Sequence, residues 1–271
     1  LAVRQVEKAV LIDPTDIGLY RQLAGGTTTS NVLHGSANPM GGQNQVIKLR
    51  WGGGAEAMKF AGAQPGVKFA LGENVVRANG QAVRSRYPMS RMGVPEIMLD
   101  TFNQAREYGA AWDAFRAGKT ATAPRRDLRL EAALEILKGD RLIHIHSYRS
   151  DEILAFIRLA EQLHLNVATF QHILEGYKVA TEIAKIGAGG SSFSDWWGYK
   201  IEAEDAIPGN ASVMTAKGVS VSINSDSAEH ARRLNTEAAK SVRWGDMNDD
   251  QAIAMVTLNP AKQLRIDQRV G

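Results

Sequence analysis

The stretch RLIHIHSYRSDE, residues 141–152, places two imidazoles one residue apart in an apolar run and then turns abruptly to charge. In a strand the side chains alternate, so Leu142, His144 and His146 share one face while Ile143 and Ile145 share the other. Two later apolar runs also end in a group able to bind a divalent ion or move a proton: VATFQHILEG ends in His172, and VSVSINSDSAEH in Asp226. Glu73 in VKFALGEN stands just past a third such run. The chain has no cysteine, which excludes disulfides and thiolate ligands and leaves imidazole and carboxylate. Those groups suit zinc and similar ions, whose bound water ionises near neutral pH. A lone Glu is more often a solvated loop carboxylate, and a lone His more often a hydrogen-bonded packing residue. Here several such groups end strands. His144, one layer deeper than His146, fits a packing role, as do His164 and His230, whereas His34 sits on the Gly-rich loop LHGSANPMGG.

The elements that must position these groups alternate along the chain. Strands are expected over Thr27–Leu33, Gln45–Arg50, Val67–Leu71, Arg141–Ser147, Asn166–Gln171, Gly187–Ser192 and Val219–Ile223. Helical periodicity follows at Asp151–Leu163, Tyr177–Lys185 and Asp249–Leu258, with Ser150 expected to cap the first of these. The alternation argues for parallel strands joined by crossover helices, and in such folds sites are built at the strand C-termini. Between Asn74 and Asp140 lies an insertion with helices near Glu96–Arg116 and Asp127–Lys138, suited to a lid, a partner surface or helical padding. A chain of 271 residues can form one α/β barrel or two small domains.

Composition narrows the function. With 44% hydrophobic residues and no run near the roughly 20 apolar residues of a membrane span, the chain reads as globular, without a membrane span. The formal charge of +3 comes from scattered residues rather than a basic stripe, which argues against nucleic acid as a partner. HGSANPMGGQ and RWGGG lack dinucleotide and Walker spacing and read as tight strand–helix connections, and no G-x-S-x-G elbow occurs. The opening LAVRQVEKAV carries no leader pattern, so the compartment stays open and the natural N-terminus is expected to lie upstream.

Seven fragments, AGGTTTSNVLHGSANPMGGQNQVIKLRWG, KFALGEN, IHIHSYRSDEI, FQHILEGYK, DWWGYKIEAEDA, INSDSAE and TLNPAKQLRIDQRVG, run in order over nearly the whole chain. Together they resemble the metal-dependent amidohydrolase superfamily, in its imidazolonepropionase-like and prolidase-like branch. The resemblance implies a distorted (β/α)8 TIM-like barrel, one domain over residues 1–271 with a mainly helical insertion around 74–140, holding one or two divalent ions, zinc by expectation. His146 would be the fifth-strand ligand, His172 the sixth-strand ligand, and Asp226 the eighth-strand aspartate that touches metal and moves protons. Glu73 would match the acidic ligand of an earlier strand; a carboxylated lysine does this in some relatives, which makes Lys68 and Lys48 lesser candidates. The family's first strand ends in His-x-His, and nothing before Thr27 supplies it, nor is the accessory β-sandwich present, so the barrel is expected to be incomplete at both ends.

The resulting expectation is hydrolysis of a C–N bond in a small amide, dipeptide or cyclic amide. Asp226 would serve as base, and Tyr148, Arg149, Trp197 and His34 as substrate contacts. Arg149 has an alternative partner in Asp151 or Glu152. A homo-oligomer, or a separate N-terminal segment completing the barrel, is the expected assembly. The alternative from another class is a degenerate barrel retained as a binding or partner subunit.

Overall fold

A computed structural model describes residues 12–77 and 87–271. The opening LAVRQVEKAV lies outside the described residues, as does part of the insertion after Asn74. Each of the seven expected runs overlaps a strand, β2 starting five residues earlier than expected: β1 (Thr29–Val32), β2 (Met40–Lys48), β3 (Gly66–Ala70), β4 (Leu142–His146), β5 (Val167–Gln171), β6 (Gly189–Ser192) and β7 (Val221–Ile223). They form one sheet in chain order. Helix α1 (Ile17–Ala24) precedes β1, and between the strands run α2 (Ala55–Met58), α3 (Glu73–Arg77), α4 (Gly93–Arg116), α5 (Leu128–Leu137), α6 (Ser150–Leu163), α7 (Ala180–Lys185) and α8 (Asn210–Ala216). Helices α9 (Leu234–Gly245), α10 (Asp249–Ala254) and α11 (Leu258–Gln263) follow β7.

Strands β3 to β7 are parallel, as crossover helices require, but β1 and β2 pair antiparallel and so do β2 and β3. The expectation of parallel strands throughout is corrected at this end: residues 33–39 are too short a link for a crossover, so the chain turns back as a hairpin. β1 and β7 are not paired with each other, yet residues of both flank one cavity. The sheet is therefore curled and partly closed, consistent with a barrel lacking one strand.

Register explains how one sheet builds both a core and a site. Lys68, His144 and Thr169 form one row across β3, β4 and β5, and Ala70, His146, Gln171, Ser191 and Ser222 form the next. The intervening residues Val67, Phe69, Ile143, Ile145 and Phe170 point to the opposite face and are fully buried, packed beneath the helices. Phe69 is the hub of that layer, 6.2 Å from Phe102 of α4 and 6.4 Å from Phe156 of α6 between ring centroids. Ala132, Ala133 and Ile136 of α5 are buried in the same cluster. The helices of the insertion thus belong to the main core.

Two local expectations change. Ser150 does not cap α6; Arg149 holds the cap position without a side-chain bond. Glu175, from the loop after β5, accepts both the Ser150 N–H at 2.9 Å and the Ser150 hydroxyl at 2.7 Å. A buried carboxylate from a neighbouring unit thus satisfies an orphan donor at the positive end of the helix. The glycines of PMGGQ are not a strand–helix connection but part of β2. A Cβ on Gly41 would meet His34 Nδ1 at 2.9 Å and on Gly42 would meet His34 Cδ2 at 2.8 Å, so the strand is stripped of side chains where the imidazole lies on it.

Phe69→Ala should cost about 3–5 kcal/mol of stability, since a fully buried ring is lost among neighbours fixed by three elements. Urea unfolding measures it, and a loss below about 1 kcal/mol would mean that the layer closes over the gap.

Candidate active site

His146 ends β4 and His172 directly follows β5, so two adjacent parallel strands deliver their imidazoles to the same edge of the sheet. The ring centroids are 5.2 Å apart, and both residues are buried. Asp226 arrives on the loop after β7. His172 (φ 58°) and Asp226 (φ 45°) both adopt the left-handed backbone conformation, which costs about 1–2 kcal/mol for most residues. Among the described residues the other non-glycine cases, His164, Asp246 and Arg265, lie just past helix ends, where that conformation is ordinary. At His172 and Asp226 it follows a strand instead, and turns a reactive side chain at the rim.

Burial sets the protonation states. It pulls His172 down to about 3 and His144 down to about 4, with the Lys68 ammonium adding to both. His146 lies well below its ordinary value, through burial first and then the charges of His172, Lys68 and Lys200. Lys68, on the row below, is itself lowered by burial to about 8, against the opposing attraction of Asp226. Asp226 is raised by burial, against the pull of Lys68 and Lys200. At neutral pH the imidazoles are neutral and can act as nitrogen donors or proton acceptors.

A cavity of about 770 Å³ lies over this edge, between the rims of β1 and β7. His172, Asp226, Lys68 and Asn74 line it, as does His34, whose Nδ1 lies 2.8 Å from the Gly35 carbonyl oxygen. Lys68 donates to the His34 carbonyl at 3.3 Å and to Ser36 Oγ at 3.1 Å. Glu73 opens α3 half-buried, its backbone N–H donating to Glu202 Oε2 at 2.9 Å, and is not among the residues lining the cavity. Lys48 lies elsewhere, its ammonium 4.8 Å from the Phe60 ring centroid.

Aromatic rings wall the two histidines. Tyr148 packs edge-on to His146 at 4.4 Å, and Phe193 stacks on His172 at 5.0 Å. The Tyr199 hydroxyl donates to that of Tyr148 at 2.7 Å. Burial raises Tyr148, and burial raises Tyr199 to about 12, so both remain phenols. Arg149 pairs with Asp151 at 3.0 and 3.3 Å, which is the alternative partner weighed from the sequence. Trp197 is half-exposed, while its neighbour Trp196 packs on Phe193 at 5.0 Å and edge-on to His230.

Sequence reasoning missed the amides and the ion pair behind the histidines. Asn224 Oδ1 sits 3.0 Å from His172 Nδ1, and Asn74 Nδ2 sits 3.5 Å from His146 Nε2. Lys200 pairs with the buried Glu202 at 2.8 Å. Nothing in period or spacing marks an asparagine as the partner of a distant histidine; adjacency of Asn224 to Asp226 and of Asn74 to Glu73 was the available signal.

Among the described residues no group of three or more His, Cys, Asp and Glu is close enough to hold an ion, so the four expected ligands are not a preformed set. The chemistry of the remaining donors fits a divalent ion nonetheless. Two neutral imidazoles lie side by side, His146 Nδ1 is buried with no hydrogen-bond partner, and Lys68 is close enough to act on both rings and on Asp226.

No protein-family model matches the chain. It is 27% identical over 279 residues to the amidohydrolase tasK of Hapsidospora irregularis, an alignment covering 95% of this chain. The chain spans 28% of the length of that curated relative. The crystal structure of an amidohydrolase from Thermotoga maritima MSB8 superposes with a TM-score of 0.87 at 30% identity, covering 96% of this chain and 67% of that one.

The lowered imidazoles predict a pH dependence of stability. Between about 4 and 6.5 the unfolded chain protonates His144 while the folded chain does not, so stability falls as pH drops through that window. His144→Gln should flatten the slope of unfolding free energy by up to about 1.4 kcal/mol per pH unit there. Urea titrations at several pH values in the window test this, and an unchanged slope would mean that His144 accepts a proton without unfolding.

Proposed function

Since the chain belongs to the metal-dependent amidohydrolase superfamily, we propose that it hydrolyses a carbon–nitrogen bond of a small amide, dipeptide or cyclic amide. The imidazolonepropionase-like and prolidase-like branch is the one its motifs favour. The observation that carries this reading is the pair of neutral, buried imidazoles 5.2 Å apart at adjacent strand ends, one of which, His172, lines the same cavity as Asp226.

His146 and His172 would hold a divalent ion, with Asp226 and either Lys68 or Glu73 as the oxygen or carboxylated partner. An ion bound there would acidify a water molecule and polarise the scissile carbonyl. The protein's own part is proton transfer and positioning. Asp226, raised by burial against the opposing pull of Lys68 and Lys200, would take a proton from water and return it to the leaving nitrogen. The Tyr148 phenol, kept protonated, offers an O–H at the wall beside His146. His34 and Trp197 stand on surrounding loops as substrate contacts, while Arg149 reaches substrate only if it leaves Asp151. The polar rows of serine, threonine and amide side chains suit a substrate with several hydrogen-bonding groups.

The test is a panel of N-acyl amino acids, dipeptides and cyclic amides, assayed after loading with zinc, manganese or cobalt. Asp226→Asn should lower kcat by about 10²–10⁴-fold, and His172→Ala should abolish stoichiometric ion uptake measured by elemental analysis. Hydrolysis that persists in both variants would refute the assignment. A chain that takes up no ion would favour the binding-subunit reading, to which the lack of a preformed three-ligand group among the described residues gives some weight.

A further inference from the structure

The left-handed backbone of His172 is held by the residues on either side of it. Before it, Gln171 lies in the sheet, in register with His146 and with Ser191, and its carbonyl accepts the Ser147 N–H at 3.0 Å. After it, both polar groups of Ile173 are engaged. Its N–H donates to the Ser191 carbonyl at 3.1 Å, and its carbonyl oxygen lies 2.6 Å from Asn210 Nδ2 and 2.9 Å from Ser192 Oγ. The Ile173 side chain is fully buried as well. With both neighbours fixed, a conformation that a free loop seldom visits is retained at His172 (φ 58°).

Asn210, the first residue of α8 and 2% exposed, is the hub of this arrangement. A carbonyl can only accept and a backbone N–H can only donate, so the Ile173 and Tyr177 contacts assign the two ends of the amide. Nδ2 gives one hydrogen to the Ile173 carbonyl and the other to Ser192 Oγ at 2.8 Å, while Oδ1 accepts the Tyr177 N–H at 2.8 Å. The amide therefore spans the loop that leaves His172, tying Ile173 to Tyr177. The Ser192 hydroxyl in turn lies within reach of the Ile173 and Phe193 carbonyls, at 2.9 and 3.0 Å. Phe193 is the ring stacked on His172, at 5.0 Å with 23° between the planes. One buried side chain thus braces the chain on both sides of that stack.

We propose that Asn210, acting with Ser192 on the Ile173 carbonyl, is a positioning residue that fixes the backbone of His172 and thereby the place of its imidazole against Phe193. The use of that imidazole for ion binding rests on the hydrolase reading; its placement does not. Loss of groups that orient a ligating histidine typically weakens metal binding about 10–100-fold.

The experiment reads the ring directly, by the Cδ2–H and Cε1–H resonances of the full chain labelled with ¹³C-histidine and free of metal, with His172→Gln assigning the signals. The stacked phenyl ring should shift these resonances upfield in the wild type, and Phe193→Leu should abolish that shift. Asn210→Ala releases the Ile173 carbonyl and the Tyr177 N–H together, so most of the upfield shift should be lost. Ser192→Ala removes the second donor to the same carbonyl and should lose a smaller part of it. Asn210→Ala leaves buried backbone groups unpaired and can unfold the chain, so Ser192→Ala supplies a second reading. Resonances unchanged in folded Asn210→Ala, or in Ser192→Ala where the first variant does not fold, overturn the proposal: Asn210 would then only satisfy buried backbone groups. Where the wild type binds zinc, competition against a chelator should show about 10–100-fold weaker binding in Asn210→Ala, and equal affinity would overturn the positioning role. A wild type that binds no zinc, with resonances that respond as stated, would sink the hydrolase reading and support this one.

Discussion

Withdrawal from water is the constraint on which the strand-end site depends. An imidazole in solvent near neutral pH divides its time between base and cation, and a cation is useless as a donor of electron pairs. Burial of His146 and His172, with two ammonium groups nearby, removes the cationic form. The same low-dielectric surroundings work on Lys68 and Asp226 in opposite senses, drawing the ammonium down and the carboxylate up. Their mutual attraction limits both shifts, so the centre keeps one acid–base pair of moderate strength beside two neutral rings.

Such a centre has to be built without sacrificing the core, and the two-residue period of the strands accomplishes that. Along β3 and β4 every second residue is apolar and packed beneath helices, while Lys68, His144 and His146 on the other face carry nitrogen. Barrel interiors are usually filled by branched aliphatic side chains. Here the inward rows of Lys68, His144 and Thr169, and of Ala70, His146, Gln171, Ser191 and Ser222, are polar at every one of these positions but Ala70. Cohesion is supplied from the outer face, by Phe69, Phe102, Phe156 and their neighbours.

Much of this was legible in the sequence because it follows from periodicity. All seven strands, the long helices of the insertion and the convergence of His146 with His172 came from alternation and from the rule that strand ends share one rim. The antiparallel start was not legible as such, since apolar alternation is the same in either direction and only the short link after β1 distinguishes them. The pairs Asn74–His146, Asn224–His172 and Lys200–Glu202 were illegible for a different reason. They join loops far apart in the chain, and an amide or an ion pair in a loop has no sequence pattern of its own. Glu175 hid in the same way: a carboxylate that serves the helix of the preceding unit looks, in sequence, like any loop acid.

That last contact has a mechanical side. Glu175 lies three residues beyond His172 and grips the first turn of the helix that begins four residues beyond His146, with two bonds of 2.7 and 2.9 Å. The stretches of chain leaving the two histidines are therefore stapled to each other as well as to the sheet beneath. They form a closed hoop rather than two loose fingers, and thermal swaying of either loop carries the other along.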